Sequence, residues 1–213
     1  MTRLITFEGL EGCYKSTQTN MLVEYLKKQG KTVLQVKEPG TTQLPLTMTL
    51  RKIMLDQQYS DEHTDLSREL VSQAIRSIQL NKLIIPAIKD NKYDYIISDR
   101  GVFSSVAYGV ACGNSKETIE QLTEITHQGT GLDSKSYDIV FLKRDVKAGL
   151  ATAKSSKQEF ANGDAMENKG VGFLDEVSKQ FSSWSGDFNV SYVNVENKNK
   201  ENILKEIIST LGV

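Results

Sequence analysis

Phe7-Glu8-Gly9-Leu10-Glu11-Gly12-Cys13-Tyr14-Lys15-Ser16-Thr17 overlaps the end of a short apolar run, Leu4-Ile5-Thr6-Phe7, and opens a helical pattern. A strand, a glycine-bearing turn and a helix in that order are the setting of a phosphate-binding loop. Its general form is Gly-x-x-x-x-Gly-Lys-Ser/Thr. Gly9, Lys15 and Ser16 fit that form, and Tyr14 stands in the place of the second glycine. In such a loop the backbone N–H groups, here from Gly9 and Gly12 through Cys13, Tyr14 and Thr17, receive phosphate oxygens at a helix N-terminus. Lys15 then lies against the outer phosphates, and the Ser16 hydroxyl ligates magnesium. A glycine before that lysine serves an unusual backbone conformation or a close phosphate approach, neither of which a tyrosine supplies cheaply.

Composition narrows the field around this loop. The 213 residues suit one domain, 1–213, large enough to bury a core without disulfides. A net charge of −1 argues against a dedicated nucleic-acid binder, which needs a basic stripe to release phosphate counterions. Apolar runs stay far below membrane-spanning length, and the N-terminal stretch has no signal-peptide core, so no membrane and a cytoplasmic location are expected. Two cysteines read as reduced thiols, and two histidines without Cys/His clustering offer no zinc site.

Strand-like and helix-like stretches alternate to the end of the chain. Strands are predicted at 3–7, 32–36, 93–98, 137–142 and 190–195, with helical patterns near 15–29, 65–90, 102–111, 115–128, 146–156, 171–184 and 199–211. The alternation predicts an α/β fold, a parallel sheet with helices on both faces. Gly30 closes the first helix, and Asn114 with Glu117 resembles an N-terminal capping pair. The polar, glycine-bearing segment 155–172 reads either as a flap over a phosphoryl-transfer site or as an ordinary surface loop.

Three further clusters add to the case for a phosphoryl-transfer site. Lys37-Glu38-Pro39-Gly40-Thr41-Thr42 follows the second strand, which puts it at the sheet's carboxyl edge. Asp99-Arg100 ends the third strand at the same edge, an acid suited to magnesium and a guanidinium fork suited to phosphate. On the 65–90 helix, Arg68, Ser72, Arg76 and Gln79 share one side, while Leu70, Val71, Ala74, Ile75 and Ile78 share the other. Each cluster also has an ordinary reading: a turn, a strand-end ion pair and a solvated helix face.

Together these stretches, with Leu50-Arg51, Ala74-Ile75-Arg76, Ser104-Ser105-Val106-Ala107-Tyr108 and Asp164 through Gly170, resemble the thymidylate kinase family in order and spacing. The resemblance implies the three-layer fold of P-loop NTPases, with a five-stranded parallel sheet and a short lid at about 155–172. It also implies a cytoplasmic homodimer that moves the ATP γ-phosphoryl group, with Mg2+, to a deoxynucleoside monophosphate, dTMP or a related 5-substituted dUMP. Lys15 would neutralise the transferring group, Ser16 and Asp99 would hold the metal, and Arg100 and Arg51 would clamp the acceptor's phosphate. Glu11 matches an aspartate near the sugar 3′-hydroxyl, Glu38 marks the same side, and Ser104 and Tyr108 join the acceptor site. Arg76 resembles the arginine on the thymine edge.

The departures from the family lie mostly on the donor side. Ser72 stands four residues before Arg76, where the family carries a ring on the base, with Phe103 or Tyr108 as substitutes; Gly101 follows Asp99-Arg100 where a bulky residue is usual. Ala165 occupies the lid position of a catalytic arginine, Cys13 and Tyr14 are uncharged, and Thr152, Lys154 and Ser156 match family arginines. Six arginines against twenty lysines leave Lys154 or Lys157 as partial substitutes, a point charge in place of a fork. The alternatives that follow are a weak or inactive relative that binds nucleotide as a sensor or partner, and a different P-loop enzyme such as a nucleoside kinase. Arg51 and Arg100, suited to a phosphorylated acceptor, count against the latter.

Overall fold

β1 (Arg3–Glu8) is the central strand of the computed structural model, which describes residues 2–156 and 164–213. It pairs in parallel with β3 (Tyr95–Asp99) on one side and β4 (Asp138–Lys143) on the other. β2 (Val33–Lys37) extends the sheet beyond β3, and β5 (Asn189–Asn194) beyond β4, giving the order β2-β3-β1-β4-β5. Every pairing is parallel, so each connection crosses over and the sheet is covered on both faces.

Period-two alternation sends neighbouring side chains into different layers. Ile5, Phe7, Ile97 and Val140 pack with Leu22 and Leu26 of α1 (Lys15–Lys28) and with Ile203 and Ile207 of α9 (Lys200–Leu211). Leu4, Ile96, Ile139 and Phe141 pack the other way, against Phe103 of α5 (Val102–Ala111) and Phe181 and Trp184 of α8 (Val171–Trp184). A buried side chain of this size contributes about 1.5–3 kcal/mol, so both layers stabilise the same strand order. The result is the α/β arrangement expected of a P-loop NTPase.

Three local readings are corrected. The 65–90 pattern is not one helix: α3 (Asp65–Gln79) passes through a π-helical turn, Leu80–Ile84, into the short α4 (Ile85–Lys89). Pro86 explains the wide turn, because it lacks an N–H and its ring collides with the carbonyl four residues back. A helix, α2 (Pro45–Leu55), appears in a stretch read without one, with Pro45 at its first turn where the missing N–H costs nothing. Ser115, not Asn114, caps α6 (Lys116–His127), its hydroxyl accepting from the Thr118 N–H. Gly30 does close α1, at φ 77°.

α7 (Val146–Ser156) ends at the edge of the described residues; 157–163 of the expected lid lie outside them. The part that follows does not behave as an ordinary surface loop. Ala165 and Met166 are buried against Met54, Leu55 and Ile75, and the Ala165 N–H donates to the Leu55 carbonyl at 3.0 Å.

Candidate active site

The phosphate loop joins β1 to α1 and leans on the end of β4 and on α7. Its glycines answer close approach as well as conformation. A Cβ on Gly9, at φ 135°, would stand 2.6 Å from the Leu142 carbonyl oxygen, and one on Gly12, at φ 67°, would stand 1.9 Å from that of Gly149. Tyr14 adopts a left-handed conformation, φ 67° and ψ 20°, at a cost of about 1–2 kcal/mol for a side-chain-bearing residue. Lys15 is buried, with Nζ donating to the Leu10 carbonyl at 2.5 Å. The Cys13 thiol donates to the same carbonyl at 2.9 Å. Ser16 Oγ donates to Asp99 Oδ2 at 2.5 Å, bringing the two expected metal residues together across the loop and the end of β3.

Register explains that meeting. Phe7 and Lys37 both align with Asp99, so the carboxyl ends of β1, β2 and β3 form one edge. Arg100 follows in a left-handed conformation, φ 71°, and turns its guanidinium back over the loop. Nη1 donates to the Gly9 carbonyl at 3.0 Å and Ser104 Oγ at 2.9 Å, and Nη2 to Glu11 Oε1 at 2.8 Å and the Tyr108 hydroxyl at 3.3 Å. Tyr108 in turn donates to Glu11 Oε1 at 2.9 Å. Burial opposes the Arg100 charge, but Tyr108, Glu11, Glu8 and Asp99 outweigh it and hold the group above its ordinary range. Glu8 lies wholly buried beneath, accepting from the Ser104 N–H at 3.1 Å and from its hydroxyl. Burial pushes Glu8 up to about 7, against the lowering pull of Ser104 and Arg100.

The polar side of α3 faces inward, which removes the reading of a solvated face. Arg68, Arg76 and Gln79 are buried, whereas Leu70 is 48 % exposed; Ile75, read with the apolar side, is fully buried instead, two turns from Arg68 and so on the inward side. Arg76 donates through Nε at 3.0 Å and Nη2 at 2.6 Å to Glu38 Oε2, while its buried Nη1 has no partner among the described residues. Arg51 Nη1 donates to the Pro39 carbonyl at 2.8 Å.

One cavity of about 540 Å3 is lined by the loop from Glu11 to Thr17 and by Glu38, Arg51, Ser72, Arg76, Asp99, Arg100, Ser104 and Tyr108. Gly9 is not on its wall, though its carbonyl braces Arg100. Phe103 is not there either: it is fully buried between Phe141, Phe181 and Phe188 and cannot supply a ring to a base. Tyr108 is on the wall, with Arg100 over its ring at 5.2 Å.

Two features of the site escaped the sequence reading, one on the cavity wall and one behind the loop. Glu69 Oε1 accepts from Gln73 Nε2 at 2.8 Å and Ser105 Oγ at 3.2 Å, and burial raises this carboxyl above its usual range. Gly109 makes room for it, since a Cβ there would stand 2.8 Å from Glu69 Oε2. The other feature is Arg144, just past β4, whose Nη1 donates to the Gly12 carbonyl and whose guanidinium lies 4.7 Å from the Tyr14 ring centroid. Lys143-Arg144 ends a strand at the carboxyl edge as Asp99-Arg100 does, so the same positional logic was available for it.

A phosphate loop and several inward arginines around one cavity suit the meeting of two phosphorylated substrates. A family model described as thymidylate kinase matches residues 7–207. The chain belongs to the thymidylate kinase family. It is similar to the thymidylate kinase of Fervidobacterium nodosum, 30 % identical over 211 residues covering 98 % of each chain. It is likewise similar to that of Thermosipho africanus, 31 % identical over 207 residues, 96 % of this chain and 95 % of the relative. A third, from Chlorobaculum parvum, is 31 % identical over 180 residues, 82 % of this chain and 78 % of the relative. Membership in the thymidylate kinase family carries the reaction class: the chain is a nucleoside monophosphate kinase, transferring a phosphoryl group to a nucleoside monophosphate. Of the donor-side positions, Ala165 is packed into an apolar cluster, Lys157 lies outside the described residues, as does the side chain of Lys154, and Arg144 donates to the loop's Gly12 carbonyl.

Proposed function

We propose that the chain transfers the γ-phosphoryl group of ATP to a deoxynucleoside monophosphate with a 4-oxo pyrimidine base, dTMP or a related 5-substituted dUMP. Arg76 carries this reading: it lines the cavity that the phosphate loop also lines, and its buried Nη1 has no partner among the described residues. A buried unsatisfied donor costs about 1–3 kcal/mol, which a base carbonyl relieves and an amino group does not.

The catalytic roles follow from charge and position. Lys15 and the N–H groups of Gly12 through Thr17 receive the donor's phosphates. A hydroxyl and one carboxylate at 2.5 Å, Ser16 and Asp99, suit magnesium, which keeps most of its coordination for water and phosphate oxygens. Bound there, Mg2+ neutralises charge on the transferring group. Arg51 and Arg100 hold the acceptor phosphate in line. Arg100 spends its four Nη hydrogens on protein acceptors, so its grip on phosphate exchanges Glu11 and Tyr108 for phosphate oxygens. That exchange releases Glu11 toward the sugar 3′-hydroxyl, and Glu38 keeps Arg76 aimed.

Ser72 and Glu69 shape the remaining wall. Without a ring at 72 the base loses a stacking surface of about 1–3 kcal/mol, by analogy with aromatic–base contacts. A hydroxyl and a carboxylate oxygen take its place: the carboxylate accepts the one hydroxyl hydrogen of a 5-hydroxymethyl group, and the Ser72 hydroxyl donates to its oxygen. The test is ADP release and kcat/KM across dTMP, dUMP, 5-hydroxymethyl-dUMP and dCMP, for the wild type and Ser72→Phe. The 4-oxo bases should exceed dCMP by about tenfold or more, and Ser72→Phe should raise kcat/KM for dTMP by about tenfold. Should dCMP prove best, the role of Arg76 fails; should no monophosphate elicit ADP, the chain binds without turnover.

A cytoplasmic homodimer belongs to the same proposal. Leu46 of α2, Leu66 and Leu70 of α3 and Ile125 of α6 are 59 %, 46 %, 48 % and 67 % exposed, on three helices that pack side by side. Exposed apolar side chains on adjoining helices suit a protein interface. Sedimentation equilibrium should return twice the chain mass, and Leu70→Glu should return the monomer. Among the described residues no helix is long and apolar enough to cross a membrane.

A further inference from the structure

Tyr14 holds a left-handed backbone conformation that glycine adopts without cost, with a side chain that glycine lacks. Among the described residues the non-glycine positions at positive φ are Asn91 and Asn197, of a type that tolerates it, and Tyr14 and Arg100, both in the site. Residues in such conformations persist only where their surroundings over-determine them. For Tyr14 the surroundings are specific. Its ring packs at the edge of the core cluster that contains Cys13, and the Arg144 guanidinium lies over it at 4.7 Å. The same guanidinium donates from Nη1 to the Gly12 carbonyl, two residues earlier. One arginine therefore touches both limbs of the turn, the side chain on one and the backbone on the other. Gly149, further along α7, meets Gly12 backbone to backbone, so the loop is held to the β4–α7 region at a second point.

We propose that Arg144 is a positioning residue for the phosphate loop. Stacked on Tyr14 and bonded to Gly12, it holds the backbone N–H groups of residues 12–17 in phosphate-receiving geometry, so that Tyr14 and Arg144 together stand in for the absent glycine. A planar guanidinium is suited to this: it lies flat on a ring and still directs N–H groups in its own plane, which an ammonium does not. Arg144 comes from the strand edge beside the loop, so no lid movement is needed to bring it there.

The nucleotide readout rests on the loop being the ATP site; the Tyr14–Arg144 contact is a property of the chain without nucleotide. The experiment is therefore a double-mutant cycle of Tyr14→Gly and Arg144→Met read in two ways, with Arg144→Lys as the conservative variant. Urea unfolding of the nucleotide-free protein reads the contact, and calorimetry with Mg-ATP together with separate KM values for ATP and the monophosphate reads the loop. Arg144→Met should weaken Mg-ATP affinity by about tenfold and leave the monophosphate KM within about twofold. In the Tyr14→Gly background the same change should cost less than about threefold, and the urea midpoints should be non-additive. Arg144→Lys should behave as Arg144→Met. Equal losses in both backgrounds overturn the proposal and make Arg144 a direct ligand of the donor, and rescue by lysine overturns the stacking. If the wild type binds no Mg-ATP, the kinase reading falls, and additive urea midpoints would independently sink the pairing.

Discussion

Lys15→Ala should lower kcat by about 10³-fold or more with every monophosphate that the wild type accepts, while leaving the fold intact. Lys15 carries the loop's one cationic side chain, and its Nζ lies 2.5 Å from the Leu10 carbonyl, inside the turn that would cradle the donor's phosphates. A preorganised charge at a transferring phosphoryl group acts where solvent is excluded and charge develops, and its loss is worth about 4 kcal/mol of barrier. Folding depends on it less. Leu10 keeps the Cys13 thiol as a donor, so the change removes a charge-assisted hydrogen bond to Leu10 and a long one to Cys13 Sγ, about 1.5–3 kcal/mol. Lys15→Arg should not rescue, because a planar fork does not fit where a compact ammonium sits. Quench-flow measurement of ADP formation beside a urea melt separates the two effects. A variant within tenfold of wild-type kcat would remove Lys15 from the chemistry.

Arg76→Met should damage stability and acceptor use together, and a second change should separate them. The Arg76–Glu38 pair is almost wholly buried, the side chains 5 % and 8 % exposed, with N–O contacts of 3.0 and 2.6 Å. Removing the arginine strands a buried carboxylate, at a cost of about 3–5 kcal/mol. Adding Glu38→Gln removes that stranded charge and should recover most of the stability. It should not recover the acceptor, because the donor meant for the base carbonyl is still missing. Loss of that contact should lower kcat/KM for dTMP by about 10²-fold in both variants. A double variant with wild-type kcat/KM would show that Arg76 serves only to hold Glu38 and would leave base recognition without its residue.

The layer order of this protein is written locally. Leu4 against Ile5, Ile96 against Ile97 and Ile139 against Val140 alternate between the two helical layers, and a period of two is visible in sequence without any partner. The phosphate loop is local as well, eleven consecutive residues between a strand and a helix. Strand ends inherit a place at the carboxyl edge from parallel order alone, so Glu38, Asp99 and Arg100 could be set beside Lys15 in advance.

What tertiary structure decided is partnership at long range. Periodicity divides α3 into a polar side and an apolar side, but only packing against α2 and α5 shows that the polar side is the buried one. The Glu69 carboxyl has room because Gly109, on another helix, has no Cβ. Arg144 reaches the Gly12 carbonyl across 132 positions of chain, and no local pattern couples a residue after β4 to a tyrosine after β1. Local sequence shows that Tyr14 is out of place in a phosphate loop; only the crossing of β1 and β4 side by side shows what holds it there.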